Sequence, residues 1–322
     1  MMRALLWVTG VLAALWGGYW VVGSRAALSG AEAWLNGSNV VYQDVSVAGF
    51  PNRFDVTVTG VSVVDTASDV GWSAPFVQVF AMGWKPWHLI AALPNEQEIT
   101  FQDQRVSVES ARMMGSLLLV PGADFALSET VAEGEGLALH SSLGWQVAAD
   151  KAVLSTRATG QGNDHRFGLA VTRIAPGTLA QDTGLPAVID AVRVDAVLGF
   201  SAPLDGHAGQ TMPQVISVDL TEARLDWGDL ELVATGQIAP DAAGFAAGEV
   251  VVQVTGWQAL PGALRALGLI EPEFEPKLMQ GLTLMSGGKD SVSVKVRAQG
   301  GQLFTGPLPL GPAPYFGVIS TN

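Results

Sequence analysis

Residues Val40 to Val64 read VVYQDVSVAGFPNRFDVTVTGVSVV, and their alternation restricts the fold more than any other feature of the chain. Val45 and Val47 alternate with Asp44 and Ser46; then Phe54, Val56 and Val58 alternate with Asp55, Thr57 and Thr59. Side chains on a strand point to opposite faces with period two, so each run is a strand with one apolar and one polar face. Gly49-Phe50-Pro51-Asn52 supplies the turn between them. Beyond Gly60 the apolar set moves from even positions to odd ones, Val61 and Val63. A one-residue shift exchanges the faces of a strand, so a bulge or bend is expected at Gly60.

The same pattern recurs as far as Ile238. Phe167, Leu169 and Val171 alternate with Arg166, Gly168, Ala170 and Thr172, and Val192, Val194, Ala196 and Leu198 share one side of their run. Arg112 to Val120 is apolar enough to be buried on both faces. Gly60, Gly71, Gly122, the pair Gly134 and Gly136, Gly160 to Asp164, and Asp205-Gly206 read as punctuation between strands. Lys85 to Leu93 is open between a strand and a short helix, because Trp87, Ile90 and Leu93 are spaced by three. No long helical pattern intervenes, which predicts a largely antiparallel sheet.

Helical spacing returns near the C-terminus. Trp257, Leu260, Leu264 and Leu267 form one stripe ending at Gly268, and Phe274, Leu278, Leu282 and Met285 form another ending at Gly287-Gly288. Two strands follow, around Gln299-Gly300-Gly301, and residues 306–322 form a Pro/Gly-rich tail expected to be extended.

At the other end, Ala4 to Val22 carry no charge, with Arg3 before them. Nineteen residues at about 1.5 Å each nearly span a hydrocarbon core of about 30 Å. Their leucines and valines together favour insertion by about 2.5 to 5 kcal/mol, and Trp16, Tyr19 and Trp20 cluster as an interfacial belt does. The alternative is a cleaved signal peptide with Ser24 and Ala26 before the cleavage site; Arg25 between them fits that poorly. A helix is expected to continue from Ser24 through Leu35 and to stop at Asn36-Gly37.

Among 322 residues only 15% are charged, and Lys+Arg 17 against Asp+Glu 30 leave a net charge of -13. Acidic surfaces repel phosphate backbones, which disfavours nucleic acid as a partner. With no cysteine, disulfides, thiolate metal sites and a Cys nucleophile are excluded together.

The segment GFPNRFDVTVTG, Gly49 to Gly60, with an N-terminal anchor before it, resembles the uncharacterised bacterial family numbered 2125 among domains of unknown function. The C-terminal order of strand, turn, strand, helix pair and closing strands is similar to AsmA-like envelope proteins. That similarity implies a membrane-anchored, curled sheet with an apolar groove associated with lipid handling. Neither resemblance supplies catalytic residues.

The residues themselves carry no catalytic constellation. His88, His140, His165 and His207 are too scattered for a metal site and read as surface or turn residues, with Asp164-His165 in a hairpin turn. Ser286 and Lys289 match Ser-x-x-Lys, but two glycines at a helix end make a cap of them. Asp226 with Asp229, and Glu133 with Glu135, read as carboxylate pairs in turns, short of a calcium loop. No P-loop, G-x-G-x-x-G opening a helix, or G-x-S-x-G elbow is present. Of the ten tryptophans, Trp34, Trp84 and Trp87 are expected near the membrane face.

These readings predict a mainly β protein: a large curled antiparallel sheet, as a groove or an elongated sandwich, with an N-terminal transmembrane helix and a C-terminal helix pair. Its parts are a signal anchor (1–23), a membrane-proximal helix (24–37), a periplasmic β-rich domain (38–305) with helices near 257–268 and 273–286, and the tail. The expected function is non-enzymatic binding or transfer of lipid-like ligands at the inner membrane of a Gram-negative-type envelope, with no catalytic, cofactor-binding or metal site. The alternatives are an envelope interaction scaffold with a closed core, partnered by envelope proteins, and an exported hydrolase with a cluster formed only in three dimensions.

Overall fold

The computed structural model describes residues 2–65, 69–101, 104–122, 124–181, 183–206 and 213–317. Helix α1 (Met2–Asn36) comes first. The strands are β1 (Val40–Val41), β2 (Asp44–Ala48), β3 (Arg53–Asp65), β4 (Val70–Met82), β5 (Lys85–Leu93), β6 (Glu96–Phe101), β7 (Gln104–Glu109), β8 (Arg112–Leu119) and β9 (Leu127–Ser141). They continue as β10 (Gln146–Ala158), β11 (Asp164–Ala175), β12 (Ile189–Phe200), β13 (Val215–Trp227), β14 (Leu230–Pro240) and β15 (Ala246–Thr255). Helices α2 (Leu260–Ala266) and α3 (Glu275–Ser286) precede β16 (Ser291–Gln299), β17 (Gln302–Thr305) and β18 (Leu308–Pro312).

Every pairing is antiparallel, and the sheet is essentially one long meander. β5 and β6 lie end to end beside β4, β7 and β8 lie end to end beside them, and both of the latter pair with β9. From β9 each strand pairs with the next in the chain, through β18. Lys85 to Leu93 is therefore a strand. Leu89, Ala91 and Leu93 face one side and His88, Ile90 and Ala92 the other; apolar residues on both faces had left the helical spacing as the visible pattern. β8, expected to be buried on both faces, is half-buried on both.

Residues paired across an antiparallel ladder share a face, so the registers trace one face across the sheet. Starting from Phe54, Val56 and Val58 of β3, it runs through Val77, Val79 and Ala81, then Leu89 and Leu93, then Met113 and Leu117. It continues through Ala152 and Leu154, Leu169 and Val171, Val192 and Val194, Ala223 and Leu225. It ends on Leu232, Val252, Val254, Val292 and Val294. The opposite face is charged. Glu129–Arg157, Glu133–Lys151, Arg166–Asp195, Arg193–Asp226, Arg224–Glu231 and Lys295–Glu249 form a ladder of ion pairs between neighbouring strands. Each exposed pair contributes only about 0–1 kcal/mol, but like charges placed opposite would repel, so the set favours this register. Glu133 and Glu135, expected in a turn, lie inside β9, and Asp226 lies inside β13. The glycines beside the glutamates punctuate a crease, not a hairpin.

That crease crosses the long strands at one level. Gly60 has φ +59°, Gly136 φ +58° and Arg173 φ +51°, in strands otherwise extended. The bend expected at Gly60 is present, but not as a bulge: Thr59 pairs with Phe76 and Val61 with Ala74, an unbroken register, because Pro75 opposite takes up the matching residue. The same concerted step puts Gly136 opposite Asp150, and Asp150 opposite Arg173, which also form an ion pair at 2.9 Å. Above the crease the apolar face therefore passes to residues of the other parity: Val61 and Val63 in β3, Leu137 and Leu139 in β9, Ile174 in β11.

Buried apolar side chains gather in three clusters. Leu230, Val254, Trp257, Leu282 and Val292 bury α3 and the turn before α2 against β14–β16. Leu35, Val58 and Val61 bury the end of α1 against β3. Ala246, Ala298 and Ala313 fix the C-terminal segment. The stripe expected on α3 is buried only at its middle, since Phe274 and Met285 are exposed. Between the clusters, the apolar face from β8 to β13 is mostly half-buried.

Candidate functional site

α1 reaches the sheet with its second half only. Leu6 to Leu15 are exposed all round. Contact begins with Trp16, whose Nε1 donates to the Pro51 carbonyl at 2.9 Å. Trp20 Nε1 donates to the Arg53 carbonyl at 2.8 Å, and the Tyr19 hydroxyl donates to the Gly83 carbonyl. Trp20 also meets Phe50 edge-on, with ring centroids 5.3 Å apart. These bonds pin the helix to the β2–β3 and β4–β5 turns.

One turn further on, Gly23 lies against Phe54: a Cβ there would sit 2.5 Å from Phe54 Cζ, so only glycine allows this approach. Ala27 and Ala31 continue the same side of α1 at i+4 spacing. Their small side chains leave a gap over the valine floor, and buried Leu35 sits where the helix meets Val58 and Val61. The gap is a slot of about 730 Å³, lined by those helix residues, Trp34, Val56, Val58, Val77, Val79, Leu89 and Leu93, among others. Ligand pockets commonly span about 300–1,000 Å³ and are mostly apolar.

Among the described residues, no carboxylate, imidazole or amine lines the slot. Its polar atoms are already engaged at Tyr19 and at Trp72, whose Nε1 donates to Gln97 Oε1 at 3.0 Å. Such a lining can hold an apolar chain. A second crevice, of about 490 Å³, lies on the polar face at the crease, among Ser62, Ser73, Glu98 and Ser107.

The titratable residues singled out in the sequence stay apart. His88 and His140 lie on β5 and β9, and His207 lies outside the described residues. His165 is neither in a turn nor on the surface; it is 5% exposed in β11, on the apolar face. The turn is the preceding Gly160 to Asn163. His165 Nδ1 is 3.3 Å from Thr156 Oγ1, the Phe200 ring meets it edge-on, and burial holds its pKa below the usual histidine value. Ser286 caps its helix, its hydroxyl donating to the Thr283 carbonyl and accepting from Gly288 N–H. Among the described residues, no group of three or more His, Asp or Glu side chains could hold a metal ion. The helix side of the slot escaped the sequence reading, although Gly23, Ala27 and Ala31 are a visible small-residue repeat.

A family model described as "Uncharacterized protein conserved in bacteria (DUF2125)" matches residues 20–314. The chain belongs to this family. The DUF2125 match starts at Trp20 and runs past β18, so all of the slot lining except Tyr19 lies inside it. No curated protein and no solved structure matches the chain.

Proposed function

We propose that this DUF2125 protein is held by α1 in the inner membrane, with its sheet in the periplasm, and binds or helps transfer lipid-like ligands without catalysing a reaction. The observation that carries the reading is the slot of about 730 Å³ between α1 and the sheet. Its floor continues into the apolar, half-buried face of the following strands, which gives a chain-like ligand somewhere to extend. α1 is long and apolar enough to cross a membrane, which supports the anchor.

The test uses the full-length protein, purified in mild detergent, extracted with organic solvent and analysed by mass spectrometry. Acyl lipids should co-purify, and the double substitution Ala27→Phe/Ala31→Phe, which fills the slot from the helix side, should remove most of them while circular dichroism is retained. Absence of lipid from the wild-type protein, together with no uptake of a fluorescent fatty acid, sinks the reading. A reporter fused after Asn36 checks the orientation.

The scaffold reading draws on a different place. Leu269 and Leu284, near α2 and on α3, are exposed large apolar residues far from the slot in sequence. Lipid-free protein that instead captures an envelope protein through this patch would favour the scaffold.

A further inference from the structure

The turns at the α1 end of the sheet differ from one another in composition. The three nearest the helix carry exposed apolar residues: Phe50 between β2 and β3, Trp84 between β4 and β5, and Val120 and Phe125 between β8 and β9. Two turns further along the same end are polar or small: Gly160-Gln161-Gly162-Asn163 between β10 and β11, and Asp241-Ala242-Ala243-Gly244 between β14 and β15. Phe50 is 63% exposed and Trp84 61%, values ill suited to water contact unless something covers them.

The geometry of α1 says what does. At about 1.5 Å per residue, the uncharged run that follows Arg3 rises about 18 Å from Ala4 to Trp16 and about 24 Å from Ala4 to Trp20. A hydrocarbon core is about 30 Å thick. The uncharged run ahead of the sheet contacts is therefore no longer than the layer it would cross. The sheet, bonded to Trp16, Tyr19 and Trp20, has no stalk on which to stand away from the bilayer.

We infer that these turn tips rest in the headgroup layer of the bilayer that α1 spans, and that the slot opens there to take a phospholipid acyl chain directly from the membrane. The inference rests on the anchor and slot readings above. Aromatic rings favour that layer because one side meets hydrocarbon and the other meets water. Lys85 stands beside the tips, where a cation can meet lipid phosphates, while Arg53 next to it is paired with Asp55 at 2.7 Å. The lining of the slot begins at Tyr19, at the level of the tips, and follows α1 to Leu35, a rise of about 24 Å. An acyl chain entering beside Tyr19 would leave its headgroup among the tips.

The chain has no cysteine, so single labels are easily placed. Phe50→Cys and Trp84→Cys, each carrying an environment-sensitive fluorophore, are reconstituted as full-length protein in phosphatidylcholine/phosphatidylglycerol vesicles. Leu143→Cys, an exposed apolar turn residue at the opposite ends of the strands, is the control. The first two labels should shift to the blue and lose most of their emission to a headgroup-nitroxide lipid; the third should do neither. Water-exposed, unquenched labels on protein that resists carbonate extraction would overturn the membrane rim and leave the anchor standing. Release by carbonate would overturn the anchor and the rim together.

Discussion

Replacing Gly60 by alanine should destabilise the protein by up to about 1.6 kcal/mol. An L-residue in the left-handed region costs about 1–2 kcal/mol, and Gly60 sits there at φ +59°. Alanine returns about 0.4–1 kcal/mol by stiffening the unfolded chain. A Cβ at this position would meet the Gln43 side chain at 2.5 Å, but Gln43 is exposed and swings aside at small cost. Gly136→Ala should cost more: its φ of +58° is nearly the same, but its Cβ would press on Ala111 Cβ at 3.0 Å, a group that cannot rotate away. Arg173→Gly is the reverse experiment. It removes the strain at φ +51° and loses an exposed ion pair to Asp150 worth about 0–1 kcal/mol, so it should be close to neutral. Gly10→Ala serves as control, since nothing lies within 4 Å of its Cβ and alanine favours helix. Urea midpoints of the full-length variants in one detergent provide the measurement. If Gly60→Ala stabilises the protein, or Arg173→Gly costs more than about 2 kcal/mol, the account of the crease as a line of left-handed residues is wrong.

Three further outcomes follow from the packing. Leu230→Ala, at a position 1% exposed in the cluster under α3, should cost about 2–5 kcal/mol, read as a lowered denaturation midpoint. Acidification should weaken the fold through His165: its folded pKa lies below the free value of 6.5, so stability present above that pH is lost as the unfolded chain takes up a proton first, and His165→Gln should flatten that part of the profile. Asp226→Asn, which weakens two arginine contacts at 2.9 and 2.8 Å on the exposed face, should cost at most about 1 kcal/mol, and less in high salt.

The sheet was readable wherever one face is polar. β3, β11 and β12 alternate because charged residues of the ion-pair ladder occupy every second position. β5 stayed open between strand and helix because both of its faces carry apolar residues. The crease was read at Gly60 from the change of parity, and the same sign was available at Gly136, where Ala132 and Gly134 give way to Leu137 and Leu139. There the glycines looked like a turn, since glycine inside a strand and glycine in a hairpin leave the same mark in one sequence. Register is a relation between distant segments, so no local pattern could tell that Pro75 absorbs the step at Gly60. The slot was hidden for a similar reason. Its floor is the alternation already seen, but its roof is a row of small residues on a helix whose most obvious property is that it can cross a membrane.

The last strand has a consequence for how the molecule behaves among its own copies. An unpaired strand edge is a template on which another chain can grow. β18 carries Pro309 and Pro312, with Pro307 and Pro314 beside it, and each proline removes a backbone donor. At the other margin, β1 and β2 are short and lie against α1. A sheet of this length with two bare margins would polymerise. Here one margin is starved of donors and the other is shielded by the helix, so the meander is self-terminating and many copies can crowd together without joining into fibres.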